Sequence, residues 1–343
     1  MSPINSEKCI RLALYQESFP DKIVKCHLCP HQCKLHDGQN GICHTRINRQ
    51  GILYTIAYGN PCSLAIDPIE KKPLFHFFPG SKIFSLAVAG CNFRCLNCQN
   101  FEISQNFPEA MQQYVLMPDE IVKKALQYHV NSIAFTYTEP TVFYEYMHDI
   151  AKLAHEKGLK TVMISNGYIN KQPLLDLCPF LDAANIDLKC FDEVEHLRLT
   201  GGHLRPVLNT IRTLQEQGLW LEITNLLIPD ISDKPEIIQG ICNWLVNNGL
   251  SDTPLHFSRF FPMYKLAQSR PTPEHSLLLA KEIAETAGMK YVYIGNIPGL
   301  NGENTFCPHC KHLLVERLGY VVKQNEIQKG LCRYCGESIS GVW

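Results

Sequence analysis

Three cysteines with the spacing C-x3-C-x2-C are the residues whose types and spacing point most directly to chemistry. Cys91, Cys95 and Cys98 lie in one short string, directly after the apolar run from Ile83 to Ala89. A cubane iron–sulfur cluster has four irons and usually four thiolate ligands, so three thiolates in one loop leave one iron open. An open metal position can bind and activate a substrate. The spacing alone also allows a zinc knuckle, or a cluster whose fourth cysteine lies elsewhere.

Two further groups of four cysteines have spacings typical of metal sites. The first group is Cys26, Cys29, Cys33 and Cys43. We predict structural zinc there, because four thiolates complete a tetrahedron, and an auxiliary iron–sulfur cluster is the alternative. The second group consists of two C-x2-C pairs separated by 21 residues, a spacing that predicts a zinc ribbon. Its members are Cys307, Cys310, Cys332 and Cys335.

The composition is that of a globular protein. The chain has 343 residues, of which 45% are hydrophobic and 19% charged, and its formal net charge is -1. A net charge so close to zero gives no reason to expect nucleic acid or an anionic membrane as a partner. No apolar run approaches the ~18 residues of a spanning helix. We therefore expect a cytoplasmic protein, in a reducing compartment that keeps its thiolates available.

The middle of the chain alternates strand patterns with amphipathic helix patterns, which predicts an α/β fold. The predicted strands cover residues 83–89, 132–136, 161–164, 183–188, 219–228 and 255–261. About six βα units indicate a partial or closed (β/α) barrel with its helices outside, flanked by small Cys-rich metal modules. We predict an amino-terminal four-cysteine metal module and approach to the barrel at 1–80, the barrel at 81–298, and a zinc-ribbon-like module at 299–343.

Polar residues follow the predicted strands at their carboxyl ends, where the active sites of parallel α/β folds gather. These residues are Thr138, Glu139, Ser165, Asn166, Asp187 and Lys189. A carboxylate, a lysine and amides beside an iron-binding loop suit a zwitterionic ligand that carries a nucleoside. The sequence singles out none of them as the catalytic residue.

Taken together, the motifs resemble the radical SAM enzymes, whose C-x3-C-x2-C motif follows the first strand of a partial barrel. The closer resemblance is to the radical SAM enzyme of the AmmeMemoRadiSam system, a relative of pyruvate formate-lyase activating enzymes. It is carried by DPIEKKPLFHFFPG from Asp67 to Gly80, by CQN from Cys98 to Asn100, and by the ending GVW.

The resemblance implies a [4Fe-4S] cluster and S-adenosylmethionine as cofactors. The cluster would be held by Cys91, Cys95 and Cys98, and its open iron would be chelated by the amino and carboxylate groups of S-adenosylmethionine. Asn97 stands where the family usually has an aromatic residue that packs on the adenine.

It also implies roles for the polar residues at the strand ends. Thr138 and Glu139 stand at the place of the family's Gly-Gly-Glu-Pro motif, in which the glutamate bonds the methionine ammonium. Ser165 and Asn166 resemble the strand end that contacts the ribose. The remaining pair, Asp187 and Lys189, resembles the D-x-K element of activating enzymes.

The implied reaction is reductive cleavage of S-adenosylmethionine to a 5′-deoxyadenosyl radical, which abstracts hydrogen from a partner protein or a partner-delivered substrate. The implied partners are Memo-like and AMMECR1-like proteins and a reductant such as flavodoxin or ferredoxin. Two alternatives remain open. One is a radical SAM enzyme that acts on a free small molecule, and the other is a non-enzymatic iron–sulfur or zinc scaffold.

Overall fold

The computed structural model describes residues 6–111, 114–297 and 299–343. Its amino-terminal part consists of six short strands in two antiparallel sheets, with orders β1-β6-β5 and β2-β3-β4. The strands are β1 (Arg11–Leu12), β2 (Gln16–Phe19), β3 (Ile23–Cys26), β4 (Lys34–Leu35), β5 (Arg46–Arg49) and β6 (Ile52–Thr55).

The next eight strands form one sheet in which neighbours in sequence are neighbours in space. They are β7 (Pro61–Pro68), β8 (Lys82–Val88), β9 (Ser132–Phe135), β10 (Lys160–Ser165), β11 (Ala183–Asp187), β12 (Trp220–Leu227), β13 (Leu255–Arg259) and β14 (Val292–Gly295). β7 pairs antiparallel with β8, and β8 to β14 are parallel. The predicted α/β class with parallel strands is confirmed. Seven parallel strands replace the six expected, and β7 and β14 are free edges, so the described sheet is a partial barrel.

Helices connect the parallel strands and cover one face of the sheet. They are α1 (Phe101–Ser104), α2 (Pro118–Gln127), α3 (Tyr144–Glu156), α4 (Lys171–Leu177), α5 (Glu193–Thr200), α6 (Leu204–Glu216), α7 (Pro235–Asn247) and α8 (Glu274–Thr286). Each long helix turns an apolar stripe to the strands, with Ile121, Ile150, Ile211, Ile241 and Leu277 fully buried in the core. Crossover helices on one side are what a sheet of consecutive parallel strands requires.

The opposite face of the sheet is closed at the amino ends of the strands by residues 69–78. Ile69, Leu74 and Phe77 pack there against residues of β8 to β11. We call residues 69–78 the plug. The carboxyl-terminal residues attach to it, because the amide of Phe78 donates to the carbonyl of Val342 at 2.7 Å. The open space of the barrel therefore lies toward the carboxyl ends of the strands.

The carboxyl-terminal part forms two small sheets that pack on the end of β14. Their strands are β15 (Thr305–Phe306), β16 (Leu313–Leu318), β17 (Val321–Asn325), β18 (Ile327–Gln328) and β19 (Leu331–Cys332). Tyr291 and Tyr293 share one apolar cluster with Cys307 and Cys332. The boundary predicted at residue 298 falls on a position outside the described residues. No helix in the described part of the chain is both long and apolar enough to cross a membrane.

Candidate active site

A cavity of about 560 Å³ lies at the carboxyl ends of the parallel strands. It brings together residues that are far apart in sequence but that follow neighbouring strands, as parallel sheets do. Of the predicted site residues, its wall contains Cys91, Cys95, Cys98, Thr138, Glu139, Asn166, Asp187 and Lys189. Ser165 lies just behind this wall, where its hydroxyl donates to Glu139 Oε1 at 2.7 Å.

The cysteine loop is held from two sides. Gly90 precedes it with a φ of +112°, and a Cβ there would lie 2.6 Å from the carbonyl oxygen of Cys43. Only glycine fits this close approach. On the other side, the amides of Arg94 and Leu96 donate to the last carbonyls of α5, at 2.7 and 2.9 Å. The loop is thus fixed between the amino-terminal part and α5.

The environment of the three thiols fits a bound metal cluster. Burial raises the pKa of Cys95 to about 12, although the nearby charge of Lys189 acts in the opposite direction. Metal binding must therefore release protons, as it does at thiolate sites generally. The amide of Phe93 donates to Cys91 Sγ at 3.3 Å, and the amide group of Asn166 lies 3.8 Å from the same sulfur. Hydrogen bonds of this kind tune the reduction potential of a cluster.

Glu139 is buried at the cavity wall and already accepts four hydrogen bonds. Its Oε1 accepts from the amide and hydroxyl of Thr141 and from the hydroxyl of Ser165, and its Oε2 accepts from the amide of Asn166 at 2.8 Å. Burial raises the pKa of Glu139, and these donors oppose the shift. Since Oε2 has only one protein partner, it keeps an acceptor position for a ligand.

Asn166, Asp187 and Lys189 complete the wall beside the cysteine loop. Asn166 donates to Asn92 Oδ1 at 2.8 Å, which ties the end of β10 to the cysteine loop. Lys189 pairs with Asp187 at 2.8 Å. Burial lowers the pKa of Lys189, but the negative charges of Asp187, Cys95 and Cys98 together outweigh burial, so the net shift is upward and the side chain stays cationic.

Asn97 provides a direct indication that the cavity accepts a polar ligand. The side chain is only 6% exposed and lines the cavity. Its Oδ1 is buried and receives no hydrogen bond from the described residues. A buried acceptor without a partner costs free energy, so a ligand with an N–H group would stabilise it.

Sequence reasoning assigned no role to a second polar group in the cavity. Lys71 and Lys72 both pair with Asp67, at 2.9 and 2.6 Å, and Tyr137 donates to the same carboxylate. Burial lowers the pKa of Lys72 to about 8, against the opposing effect of Asp67. Tyr137 has a φ of +67°, a conformation that glycine adopts more readily. The only signal in the sequence was the string from Asp67 to Gly80.

Sequence analysis also did not identify the polar residues that β12, β13 and β14 contribute in and around the cavity. Glu222 is fully buried and accepts from His256 Nε2 at 2.6 Å and from the amides of Phe75 and His76. His256 and Tyr293 reach the cavity surface from neighbouring strands. These strands therefore offer aromatic and imidazole groups held by a buried carboxylate.

The structure brings the four cysteines of each quartet together, but the separations between their sulfur atoms differ. The ligand atoms of Cys307, Cys310, Cys332 and Cys335 all lie within 4.8 Å of one another, so this group can hold a metal ion. The amino-terminal quartet lines a separate cavity directly behind the cysteine loop, and Asn92 is part of its wall. That cavity is lined by Cys26, Cys29, Cys33 and Cys43.

Comparison with known proteins indicates the family to which the chain belongs. A family model described as the Radical SAM superfamily matches residues 86–239. An uncharacterised protein of Methanocaldococcus jannaschii is 46% identical over 96% of this chain and 99% of its own length. A second protein of that organism, provisionally named a glycyl-radical enzyme activating enzyme, is 31% identical over 58% of this chain and 76% of its length.

The chain also has more distant similarities. The pyruvate formate-lyase-activating enzyme of Clostridium pasteurianum is 25% identical over 46% of this chain and 67% of its length. Among solved structures, Streptococcus suis SuiB bound to S-adenosylmethionine has a TM-score of 0.49 at 14% identity and covers 70% of this chain and 56% of its own. A domain of the pyruvate-formate lyase-activating enzyme from Bacteroides vulgatus has a TM-score of 0.41 at 17% identity, covering 48% and 98%.

Proposed function

The chain belongs to the radical SAM superfamily, and on that premise we propose that it cleaves S-adenosylmethionine reductively to activate a partner protein or a partner-delivered substrate. The observation that carries the proposal is the cavity that Cys91, Cys95 and Cys98 share with Glu139, Asn166 and Lys189. A [4Fe-4S] cluster held by Cys91, Cys95 and Cys98 would supply one electron and an open iron for the reductive cleavage of S-adenosylmethionine to methionine and a 5′-deoxyadenosyl radical that abstracts hydrogen.

The residues of this chain bind and orient the cofactor. Glu139 Oε2 would accept a hydrogen bond from the methionine ammonium, while Thr141 and Ser165 hold the carboxylate in place. Thr138 fixes the turn before it, because its hydroxyl donates to the carbonyl of Val88 at 2.6 Å. Lys189, paired with Asp187, balances the negative charge of the cluster thiolates. Asn166 spans the two groups by its contacts with Glu139 and Cys91.

The substrate occupies the part of the cavity that lies beyond the cofactor. Lys71, Lys72, His256 and Tyr293 also line this cavity. Cationic and aromatic groups around a deep cavity suit a backbone segment or a small anionic molecule. A protein substrate is favoured by the relatives that are named activating enzymes. The polar groups around His256 favour the second candidate, a free small molecule.

We assign the companions by the family resemblance of the strings around Asp67 and at the carboxyl terminus. They are Memo-like and AMMECR1-like proteins, with flavodoxin or ferredoxin as the electron donor. The string from Asp67 to Gly80 supports a role at the site, since it supplies Lys71 and Lys72 to the cavity wall. We also assign zinc to the carboxyl-terminal quartet.

Anaerobic turnover tests the proposal. Reconstituted protein with S-adenosylmethionine and dithionite should release 5′-deoxyadenosine, and the variant with Cys91→Ala, Cys95→Ala and Cys98→Ala should release none. Adding each candidate companion protein should raise the rate if the substrate is a protein. Fast turnover on a purified metabolite without any companion would establish the small-molecule alternative. Absence of 5′-deoxyadenosine from cluster-loaded wild type under all these conditions would leave the scaffold function.

A further inference from the structure

The carboxyl-terminal cysteine quartet has the spacing of a site for one metal ion. Its Sγ atoms approach closely in two pairs, Cys307 with Cys335 and Cys310 with Cys332, each at 3.7 Å. One zinc ion with four Zn–S bonds of about 2.3 Å places its tetrahedral thiolates about 3.8 Å apart. In the part of the chain that the structure describes, this is the one group of three or more candidate ligands within 4.8 Å of one another.

The amino-terminal quartet is built differently. Its four side chains line a cavity together with the apolar residues Leu28, Leu35 and Val142, and its thiols do not meet the 4.8 Å separation that the carboxyl-terminal thiols meet. In a cubane cluster each thiolate binds a different iron, so four thiolates stand farther apart than around one ion. A wider ring of thiols around an apolar cavity is the arrangement that such a cluster needs. The members of the ring are Cys26, Cys29, Cys33 and Cys43.

Polar donors lie beside the ring. Cys43 Sγ accepts from the hydroxyl of Thr45 at 3.1 Å. A donor beside a sulfur is expected where that sulfur serves as a metal ligand.

A buried positive charge accompanies these donors. Arg46 is 1% exposed, and its Nη1 lies 3.9 Å from Cys26 Sγ. Its Nη2 pairs with Glu145 at 2.5 Å, which fixes the guanidinium beside the ring. A cation held at this position stabilises the negative charge that four thiolates bring to a buried site.

The ring also lies directly against the loop of the candidate active site. His31 Nε2 contacts the carbonyl oxygen of Asn92 at 2.7 Å, and Asn92 follows Cys91 in the chain. The carbonyl of Cys43 faces Gly90 so closely that a Cβ at Gly90 would lie 2.6 Å away. One layer of residues thus separates the ring from Cys91.

We propose that Cys26, Cys29, Cys33 and Cys43 hold a second [4Fe-4S] cluster, in place of the structural zinc that their spacing in sequence suggested. Four thiolate ligands leave no iron open, so electron transfer is the chemistry that this cluster offers. The proposal goes beyond the proposed function and does not depend on the substrate or on turnover.

Metal analysis of a variant that leaves the ring intact tests the proposal. The variant with Cys91→Ala, Cys95→Ala and Cys98→Ala should still contain roughly four irons and four sulfides per chain after anaerobic reconstitution. Its Mössbauer spectrum should be that of a cubane cluster. Zinc should remain at roughly one per chain, at the carboxyl-terminal quartet. A variant free of iron with two zinc ions per chain would overturn the proposal.

Matched single variants assign the metals to their sites. Cys33→Ser should lower the iron content by about half relative to wild type and leave zinc unchanged, whereas Cys310→Ser should lower zinc and leave iron unchanged. Zinc absorption spectroscopy on the wild type gives a result that does not depend on variant folding. It should show one zinc population with four sulfur neighbours, and a zinc content of two per chain would contradict the assignment.

Discussion

Asn97 offers an unsatisfied acceptor at the place where S-adenosylmethionine would lie. Its Oδ1 is buried and lines the cavity. The exocyclic amine of adenine is a donor that could satisfy it. We expect Asn97→Leu to weaken S-adenosylmethionine binding about three- to tenfold, since one neutral hydrogen bond contributes ~1 kcal/mol. Equilibrium titration of the cluster-loaded protein, followed by EPR, measures this change.

An altered ligand separates the hydrogen bond from side effects of the Asn97 substitution. The analogue in which a 6-oxo group replaces the 6-amino group of adenine presents an acceptor instead of a donor at position 6. It should bind wild type more weakly than S-adenosylmethionine does, and Asn97→Leu should bind both ligands about equally. If the variant discriminates between them as strongly as wild type, Asn97 does not contact the amine. Iron content should be the same in both proteins.

The site residues that follow strands could be predicted from the sequence, because a residue just after a parallel strand lies at the carboxyl edge of the sheet. Asn166 directly follows β10 and Glu139 lies four residues after the end of β9, and parallel strands bring such positions together. Lys72 could not be found in this way, because it belongs to a segment that precedes the first parallel strand. Its neighbour in space, Tyr137, is 65 residues away in sequence. That contact depends on how residues 69–78 fill the barrel.

At the level of elements, Gly90 lies where the loop that begins at Cys91 contacts the loop that contains Cys43. Its φ is +112°, and a Cβ would lie 2.6 Å from both the carbonyl oxygen of Cys43 and Thr45 Cγ2. Gly90→Ala should therefore lower the free energy of unfolding by the ~1 kcal/mol of positive φ plus about 1 to 3 kcal/mol of overpacking. It should also reduce the iron bound at both loops. Denaturant unfolding and iron analysis measure the two effects.

Gly218 provides the matched control for this substitution. It also has a positive φ, +74°, but nothing lies within 4 Å of its Cβ position. Gly218→Ala should cost only the conformational part, about 1 kcal/mol, and leave iron content unchanged. Equal effects of the two substitutions would show that the contact with the amino-terminal part is not a close one.

The order of strands and helices was largely predictable, but the last strand was not. The periodic patterns located six of the seven parallel strands. β14 has only four residues and runs into a Gly- and Asn-rich segment, so its pattern is too short to identify. The direction in which a side chain points at a strand end was also harder to predict than the position of the strand end. Thr224 reaches the cavity, whereas the neighbouring Asn225 points away and donates to the carbonyl of Leu188.

At the scale of the whole molecule, a directed chain of hydrogen bonds links the carboxyl-terminal part to the plug under the barrel. Arg317 donates to Thr305 Oγ1 at 2.9 Å, and Thr305 lies 2.8 Å from the hydroxyl of Tyr293. Tyr293 in turn lies 2.5 Å from His76 Nε2, and His76 Nδ1 lies 2.6 Å from the carbonyl oxygen of Ser340. A carbonyl only accepts, so Nδ1 carries the proton and Nε2 accepts from Tyr293.

This chain requires a neutral His76. The side chain is fully buried, and burial lowers its pKa from 6.5 to about 4. Between these two pH values the unfolded state binds more protons than the folded state, so the free energy of unfolding increases with pH. We expect the protein to lose about 3 kcal/mol of stability through His76 as the pH falls from 6.5 to 4. Urea unfolding at several pH values measures the slope.

His76→Gln isolates this contribution from the other groups that titrate in acid. A glutamine side chain can donate to the carbonyl of Ser340 and accept from Tyr293, but it does not bind a proton in this range. The variant should therefore be less stable than wild type near neutral pH and show a shallower loss of stability as the solution is acidified. The same acid treatment should expose Trp343 in wild type, because protonated Nε2 repels the Tyr293 donor and weakens the attachment of the carboxyl terminus. If wild type and variant have parallel pH profiles, His76 does not couple the carboxyl terminus to the barrel.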